Sequence, residues 1–439
     1  MVRKQNDHLA SLFDDTGWTE RQMAQAINRI GTERGTPTTC QQPSVHQWLN
    51  GSIPRASTRP LILEALSRKL GYPISPGRAG FPEPPEQSLA YSIAESLIDL
   101  GRQDMERRNF LGSAALFSVA MNIPEWQETI GRAEVIHAGE ARRIGMGDVE
   151  MVRKMTEFLS DTYDQFGGRH ARPMAAAFLV NTVSPYLRAD AKEDVRQAMM
   201  SAASTLCYLT GWMAVDDELH GLAQRYYIKG LELAREGGDH LTYCHVLRGM
   251  SVQAADLGHG REAVRFADAA AAAVPRVGPQ KRAFFVAQQG YASAVAGEGR
   301  AALHHVRETE KALDIAESGT ATFGGFNHST LAYAVSHVRY QAGDIKGSVD
   351  SLNLHFRLRD TSDTPRSAAR FNSLLAERQM EMGHLDAACA TWSDVLDIYP
   401  EIHSGRVDRH VANIVTLLRP HLANGGAREV SERARLAIG

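Results

Sequence analysis

From about residue 147 to the end of the chain, Gly and Pro recur at helix-length intervals, and no strand-like alternation of apolar and polar residues competes with them. The clearest unit has Gly258, Ala263, Ala267, Ala270 and Pro275. A second has Gly383, Ala388, Trp392, Val395 and Pro400, at the same offsets of 5, 9, 12 and 17 residues from its Gly. Small residues at helical spacing let two helices approach closely, a Gly turns the chain, and a Pro cannot continue the helix that reaches it. Such punctuation restricts the chain to a row of helical hairpins. Each hairpin buries one face only against its neighbour, so about three or more must stack for any of them to be stable.

Weaker copies surround Gly297, Gly343, and Ala223 with Tyr227. The Gly spacings are 39 (297 − 258), 46 (343 − 297) and 40 (383 − 343). The offsets are those of the second helix of a tetratricopeptide repeat, and the excess over the usual period of about 34 residues implies longer helices or loops. The expected fold class is therefore all-α: an N-terminal helix-turn-helix domain followed by a tetratricopeptide-like α-solenoid. The aromatic residues Trp212, Tyr226, Tyr227, Tyr243, Phe284, Phe285, Tyr291 and Trp392 are expected to pack between repeat layers. Polar residues inside first helices are the better candidates for a ligand groove: Asn181, Arg248, Gln288, Asn327, His328, Arg339, Arg370 and Asn372. A side-chain amide on a concave face can bind both N–H and C=O of an extended peptide.

The amino-terminal segment is of another kind. Asp7 to Phe13 carry an apolar stripe at Leu9, Leu12 and Phe13, and Thr19 has Gln22 three residues on, the spacing of a capping box. Met23, Ala26 and Ile27 continue the inward face. Residues 41 to 55 then set short hydrogen-bonding side chains around Val45 and Trp48, with Gly51 stopping the helix and Pro54 holding the turn. Leu61, Ile62, Ala65, Leu66 and Leu70 supply a closing helix. Gln42, Ser44, His46, Gln47 and Asn50 are of the types that pair with base edges in a major groove, and Gln22, Arg55 and Arg59 are assigned to phosphates. The first 80 residues hold 10 Lys and Arg against 6 Asp and Glu, a net of +4, and the remainder carries 38 against 45, a net of −7. A basic head on an acidic body suits a head that meets phosphates.

Three prolines within residues 82–85 mark an extended connector. The expected layout is residues 1–80 as the DNA-binding domain, 81–88 as a proline-rich connector, 89–146 as a bridging helical region (Leu89, Ile93, Leu97, Leu100, Phe110, Leu111, Leu116, Phe117) and 147–439 as the repeat domain.

The amino-terminal segment resembles the helix-turn-helix of the phage-repressor-like Xre family, although Asn28 to Gln41 is longer than the turn usual there. Gly17-Trp18-Thr19, Ser44 to Leu49 with Pro54-Arg55, Leu206 to Asp216 and His220 to Tyr227 together resemble a group of actinobacterial, Streptomyces-type transcriptional regulators, which join an Xre-type head to a tetratricopeptide body. That resemblance implies a sequence-specific transcriptional regulator, a repressor, whose body forms a homodimer and senses a peptide or small-molecule signal. The implied partners are a double-stranded DNA operator, a second copy of the chain and the signal, with no membrane. The alternative is a repeat scaffold that sequesters a partner protein, with the head used for localisation.

No Walker loop, His-Glu-x-x-His, Gly-x-Ser-x-Gly or dinucleotide fingerprint is present, so no enzymatic activity, cofactor or metal is expected. His304 and His305 point about 100° apart on a helix and are poorly placed to share a metal, and Asp216-Asp217-Glu218 with His220 reads as an acidic turn. Cys40, Cys207, Cys244 and Cys389 are far apart, no secretory signal is read at the amino terminus, and no run approaches about 18 apolar residues. A cytoplasmic protein is expected, nucleoid-associated when bound to DNA.

Overall fold

The computed structural model describes residues 6–33, 38–55, 57–70, 74, 76–81, 89–106, 143–272, 277–316, 326–359 and 364–438. The chain is all-α; the described residues contain no strand, only an isolated bridge between Arg143 and Asp190. It divides into two compact units, Met1–Ser88 and Leu89–Gly439.

The head consists of α1 (Asp7–Thr16), α2 (Glu20–Glu33), α3 (Gln42–Leu49), α4 (Arg59–Leu70) and a short 3-10 turn, Gly77–Ala79. Asn6 caps α1 by accepting from the Leu9 N–H, and its amide nitrogen donates to the Ala79 carbonyl, which ties the two ends of the unit together. The Thr19–Gln22 capping box forms reciprocally: the Gln22 Oε1 accepts from the Thr19 N–H at 2.8 Å, and the Thr19 hydroxyl accepts from the Gln22 N–H at 3.3 Å. Leu9, Leu12, Met23, Ile27, Ile30, Val45, Ile62, Leu66 and Phe81 form one small core, with Trp18 and Trp48 half-buried at its edge.

The body is a succession of helix pairs. α5 (Leu89–Glu106) leads in, followed by α6 (Met146–Phe166) with α7 (Gly168–Phe178). From there the helix widens into one π turn, Leu179–Val183, before α8 (Ser184–Arg188). Pro185 has no N–H to continue the ordinary ladder, and the turn closes instead from the Ser184 N–H to the Leu179 carbonyl. Next come α9 (Glu193–Asp216) with α10 (His220–Glu236), α11 (His240–Asp256) with α12 (Gly260–Ala271), and α13 (Pro279–Val295) with α14 (Gly299–Ile315). α15 (His328–Gln341) with α16 (Ile345–Leu358), α17 (Pro365–Glu381) with α18 (Leu385–Ile398), and α19 (Gly405–Leu418) with α20 (Gly425–Ile438) complete it. Each pair packs on itself and on the next. α5 does not stand apart as a bridge: Ile93, Ala94, Leu97 and Leu100 are buried in the same core as α6 to α10.

The Gly punctuation has one geometric cause. Gly258, Gly297, Gly343 and Gly383 each take φ between +77° and +81°, and the next residue's N–H reaches back five residues, as His259 does to Ala254 and His384 to Gln379. This is the Schellman helix stop, which requires a left-handed residue. At the corresponding place between α9 and α10 stands Glu218, at φ +61°, with the same pair of backbone bonds. Pro275, part of the first unit, lies outside the described residues, as do residues 82–88 and 107–142 with Phe110, Leu111, Leu116 and Phe117.

The row of pairs curls until its end meets its start, which the repeat signature did not reveal. α17 packs on α6; the His403 N–H donates to the Phe166 carbonyl at 2.8 Å, and the Arg169 N–H donates to the His403 carbonyl at 3.0 Å. The backbones meet so closely that a Cβ on Gly167 (φ +95°) would lie 2.4 Å from the His403 carbonyl oxygen. Among the described residues one helix, α9, is by length and mean hydropathy long and apolar enough to cross a bilayer, and most of it is buried inside the body as its core helix.

Candidate functional site

On the head, α3 turns Val45 fully inward and leaves Gln42, His46, Gln47 and Asn50 exposed, with Ser44 half-exposed. The helix ends in the same Schellman geometry as the repeats: Gly51 at φ +90°, the Ser52 N–H donating to the Gln47 carbonyl and the Gly51 N–H to that of Trp48. These polar side chains are not equivalent. His46 Nδ1 lies 2.9 Å from the Glu20 carboxylate at the start of α2, so the ring donates there. The Asn50 amide nitrogen sits 3.2 Å from His46 Nε2 and donates to the His46 carbonyl at 2.8 Å. The arrangement matches the Nδ1–H tautomer, with Nε2 accepting from Asn50. His46 and Asn50 are thus held by partners within the head, whereas Gln42 and Gln47 present their amides outward.

Among the residues assigned to phosphate, Gln22 spends its carbonyl oxygen on the capping box, and Arg59 donates through Nε to the Pro54 carbonyl at 2.9 Å, which fixes the turn after α3. Arg55 is exposed beside them. The long connection between α2 and α3 is pinned by a side chain that sequence reasoning passed over. The Asn28 amide both donates to the Cys40 carbonyl (2.8 Å) and accepts from the Cys40 N–H (2.7 Å), mimicking a backbone pair. Burial pushes the Cys40 thiol up, away from the reactive thiolate.

In the body, the candidate groove residues separate. Gln288 is buried between repeats, donating to the Ser251 hydroxyl at 2.9 Å, and does not face a groove. Asn327 is an N-cap, accepting from the Thr330 N–H and hydroxyl. Its neighbour His328 is exposed at the same helix start, and the exposed Arg339 donates to the Gly347 carbonyl. Asn181 is exposed on the π turn and Asn372 is half-buried on α17. Only Arg248 and Arg370 join the feature that dominates this unit, a chain of half-buried rings and charges along the first helices of successive pairs.

That chain begins where Arg406 on α19 pairs with Asp256 on α11. Tyr291 on α13 donates to Asp256 at 3.0 Å and packs on His337 of α15 at 4.9 Å, and His337 packs in turn on Tyr333 at 4.6 Å. Arg370 donates to the Tyr333 hydroxyl at 2.9 Å. A second branch runs from Arg406 over Trp212 to Tyr208, His245 and Phe284, whose ring lies 3.7 Å under the Arg248 guanidinium. Burial, reinforced by Arg248 and Lys281, pulls the His245 imidazole down to about 3, and burial with Arg378, Arg370 and Arg406 holds His337 well below its ordinary range. Of the eight aromatics expected to pack, Tyr226, Tyr227, Phe285 and Trp392 are fully buried, Phe284 nearly so, and Trp212 and Tyr291 lie on this inner chain.

The acidic turn after α9 has a structural explanation. Asp216 accepts from the Gly168 N–H and pairs with Arg366; Asp217 pairs with Arg169 and Arg172; Glu218 pairs with Arg409. A hydrogen bond from His220, against the opposing effect of burial and with Arg409 assisting, keeps the Glu218 carboxyl below its usual range. These arginines come from the first pair and from α17 and α19, so the turn is the clasp that holds the end of the row to its start.

Among the comparisons with known proteins, residues 9–82 match the family described as the SP15 N-terminal domain. The matched span corresponds to the head core, whose buried side chains run from Leu9 to Phe81. No curated protein matches the chain. The class the geometry defines is therefore an all-α protein with a small helical head and a closed row of helix pairs.

Proposed function

We propose that the protein is a sequence-specific DNA-binding transcriptional regulator, a repressor, in which α3 reads base edges and the repeat body pairs two copies and receives a signal. The observation that carries this reading is the outer surface of α3. Two amides, those of Gln42 and Gln47, project from a short helix whose inner side is anchored by Val45, with Arg55 beside them on a basic head. Amide side chains pair with adenine, and flanking guanidinium groups hold the backbone. Two linked heads raise the effective concentration of each and read half-sites about one helical turn apart.

The test is footprinting of genomic fragments with the wild type and with Gln42→Ala/Gln47→Ala. The double variant is expected to keep its circular dichroism spectrum and to lose operator discrimination. Unchanged footprints would remove α3 as the reading helix. Arg55→Ala is expected to weaken specific and nonspecific duplexes alike and to lower the salt slope by about 1; a loss confined to one sequence would instead assign Arg55 to a base. A protein that binds no duplex at low salt would overturn the proposal.

A further inference from the structure

The chain of rings and charges on the body's inner side has an unbalanced place. His337 sits between Tyr291 and Tyr333, keeps part of its surface accessible, and has no hydrogen-bond partner among the described residues. Two guanidinium groups two turns apart on α17 bracket it: Arg370 donates to the Tyr333 hydroxyl four residues before it, and Arg378 donates to the Ser336 hydroxyl immediately before it at 3.1 Å. Arg378 is buried and lies 4.7 Å from the Tyr340 ring; Arg370 lies 5.8 Å from the Tyr333 ring. All of these partners are neutral. The third guanidinium nearby, Arg406, is answered by Asp256, and Glu381, the acid within electrostatic reach of Arg378, accepts from the Tyr340 hydroxyl at 2.6 Å. Elsewhere in the body Arg172 meets Asp104 and Asp217, and Arg366 meets Asp164 and Asp216, whereas Arg248 is held by the Phe284 ring and carbonyl. Charge withdrawn from water is ordinarily paired; Arg378 has Glu381 within electrostatic reach, but among the described residues no carboxylate pairs with Arg370, whose partner is the neutral Tyr333 hydroxyl.

We infer that the surface formed by His337, Arg370, Arg378, Tyr291 and Tyr333 binds the anionic group of a small ligand with an aromatic or apolar body, the acid on the arginines and the body against the tyrosines. Arg370 offers a planar fork suited to two acid oxygens, and the unpartnered imidazole supplies one further polar contact. The inference rests on the reading of the body as the signal-receiving part and names the chemical class of the signal. Because α17 carries Arg370 and Arg378 as well as Arg366 of the clasp, a bound anion would act on one of the helices that hold the row closed.

The test uses the full-length protein without DNA, so that its outcome is independent of operator binding, which is footprinted separately. Thermal unfolding and calorimetric titration are run with benzoate, phenyl phosphate and neutral benzamide, at ionic strength matched with chloride. Benzoate or phenyl phosphate is expected to stabilise the protein and benzamide to have no effect; the stronger of the two acids tells whether the natural group is a carboxylate or a phosphate. Arg370→Gln is expected to weaken binding at least about tenfold, with Arg370→Lys intermediate, since Lys keeps the charge without the fork. His337→Phe, which keeps the ring packing, is expected to weaken it several-fold, and the exposed Arg339→Gln to leave it unchanged. Absence of binding by both acids, equal binding of benzamide, or full binding by Arg370→Gln and His337→Phe would overturn the inference.

Discussion

The head and the body place polar side chains in opposite ways. The head encloses a small apolar core and displays its amides, imidazole and guanidinium groups to solvent, where they bond to each other or to the backbone. The body turns arginines, aspartates and tyrosines inward and buries them along the line where successive pairs and the two ends of the row meet. An exposed polar group is inexpensive to keep and can serve recognition; a buried charge persists only with a partner, so its loss is felt by the whole unit. The exposed polar residues of α3 should therefore be separable from the head's stability, unlike the half-buried Asn6 and Asn28, and the body's buried ones should not.

The largest effect expected from that contrast is at the clasp. Arg366 is almost fully buried, pairs with Asp164 at 2.8 Å and Asp216 at 3.4 Å, and stacks 4.1 Å over Tyr163. Arg366→Met leaves the Asp216 carboxylate buried without its counter-charge and is expected to destabilise the body by about 3–5 kcal/mol in urea unfolding. Adding Asp216→Asn, which keeps an acceptor for the Gly168 N–H, is expected to recover much of the loss. If the single variant unfolded like the wild type, the clasp would not hold the row closed.

A smaller effect separates closure from local helix stops. Gly258 has φ +77° and open space around a would-be Cβ, whereas Gly167 has φ +95° and the His403 carbonyl in the way. Gly258→Ala is expected to cost about 1 kcal/mol from the left-handed backbone alone, and Gly167→Ala about 1–3 kcal/mol more, because the end of the row must move. Equal melting temperatures for the two variants would mean that the Gly167 contact is not a stabilising junction.

How much of this was legible in the sequence follows the range of the interactions. The Gly stops, the Thr19–Gln22 box and the inward faces of α1 to α4 depend on residues a few positions apart, so the pattern along the chain carries them. The clasp joins Asp216 to Arg366, and the inner chain of rings and charges joins Asp256 to Arg406, 150 residues apart in both cases. Nothing in a periodicity specifies that a row of pairs will close on itself. The same limit applies to the candidate ligand residues. Type alone could not distinguish Asn327, spent on a cap, or Gln288, spent between layers, from Arg370, which lies on the inner face. A helix-start Asn three residues before Thr330 was a usable signal for the cap. Among the head residues, the pinning of His46 by Glu20 spans two helices and was equally invisible.

Acid should expose the inner face of the body before it affects the head. The His245 imidazole takes up its proton only near pH 3 in the folded body, while in the unfolded chain it does so at about 6.5. The unfolded state thus binds more protons between these values, so this group's contribution is fully present above about pH 6.5 and is lost as pH falls toward 3. Between pH 6.5 and 5.5 the expected loss is about 1 kcal/mol, read as a decline in the body's melting temperature. His245→Gln, which does not titrate, should flatten that slope; an unchanged slope would assign the acid sensitivity to other groups.

The smallest effect is the most informative for the head. Glu20 and His46 form a pair in which the imidazole is 65% exposed, so Glu20→Gln is expected to change head stability by less than about 1 kcal/mol. Its effect on DNA should be larger. Glu20 places a negative charge beside the surface that is to meet phosphates, and it holds the donor nitrogen of His46. Removing that charge is expected to raise affinity for all duplexes at low salt, and the freed imidazole to shift base preference at one position. If affinity and preference both stayed at wild-type values in a salt titration, the side of α3 that carries His46 would lie outside the interface, and the reading surface would shrink to Gln42 and Gln47.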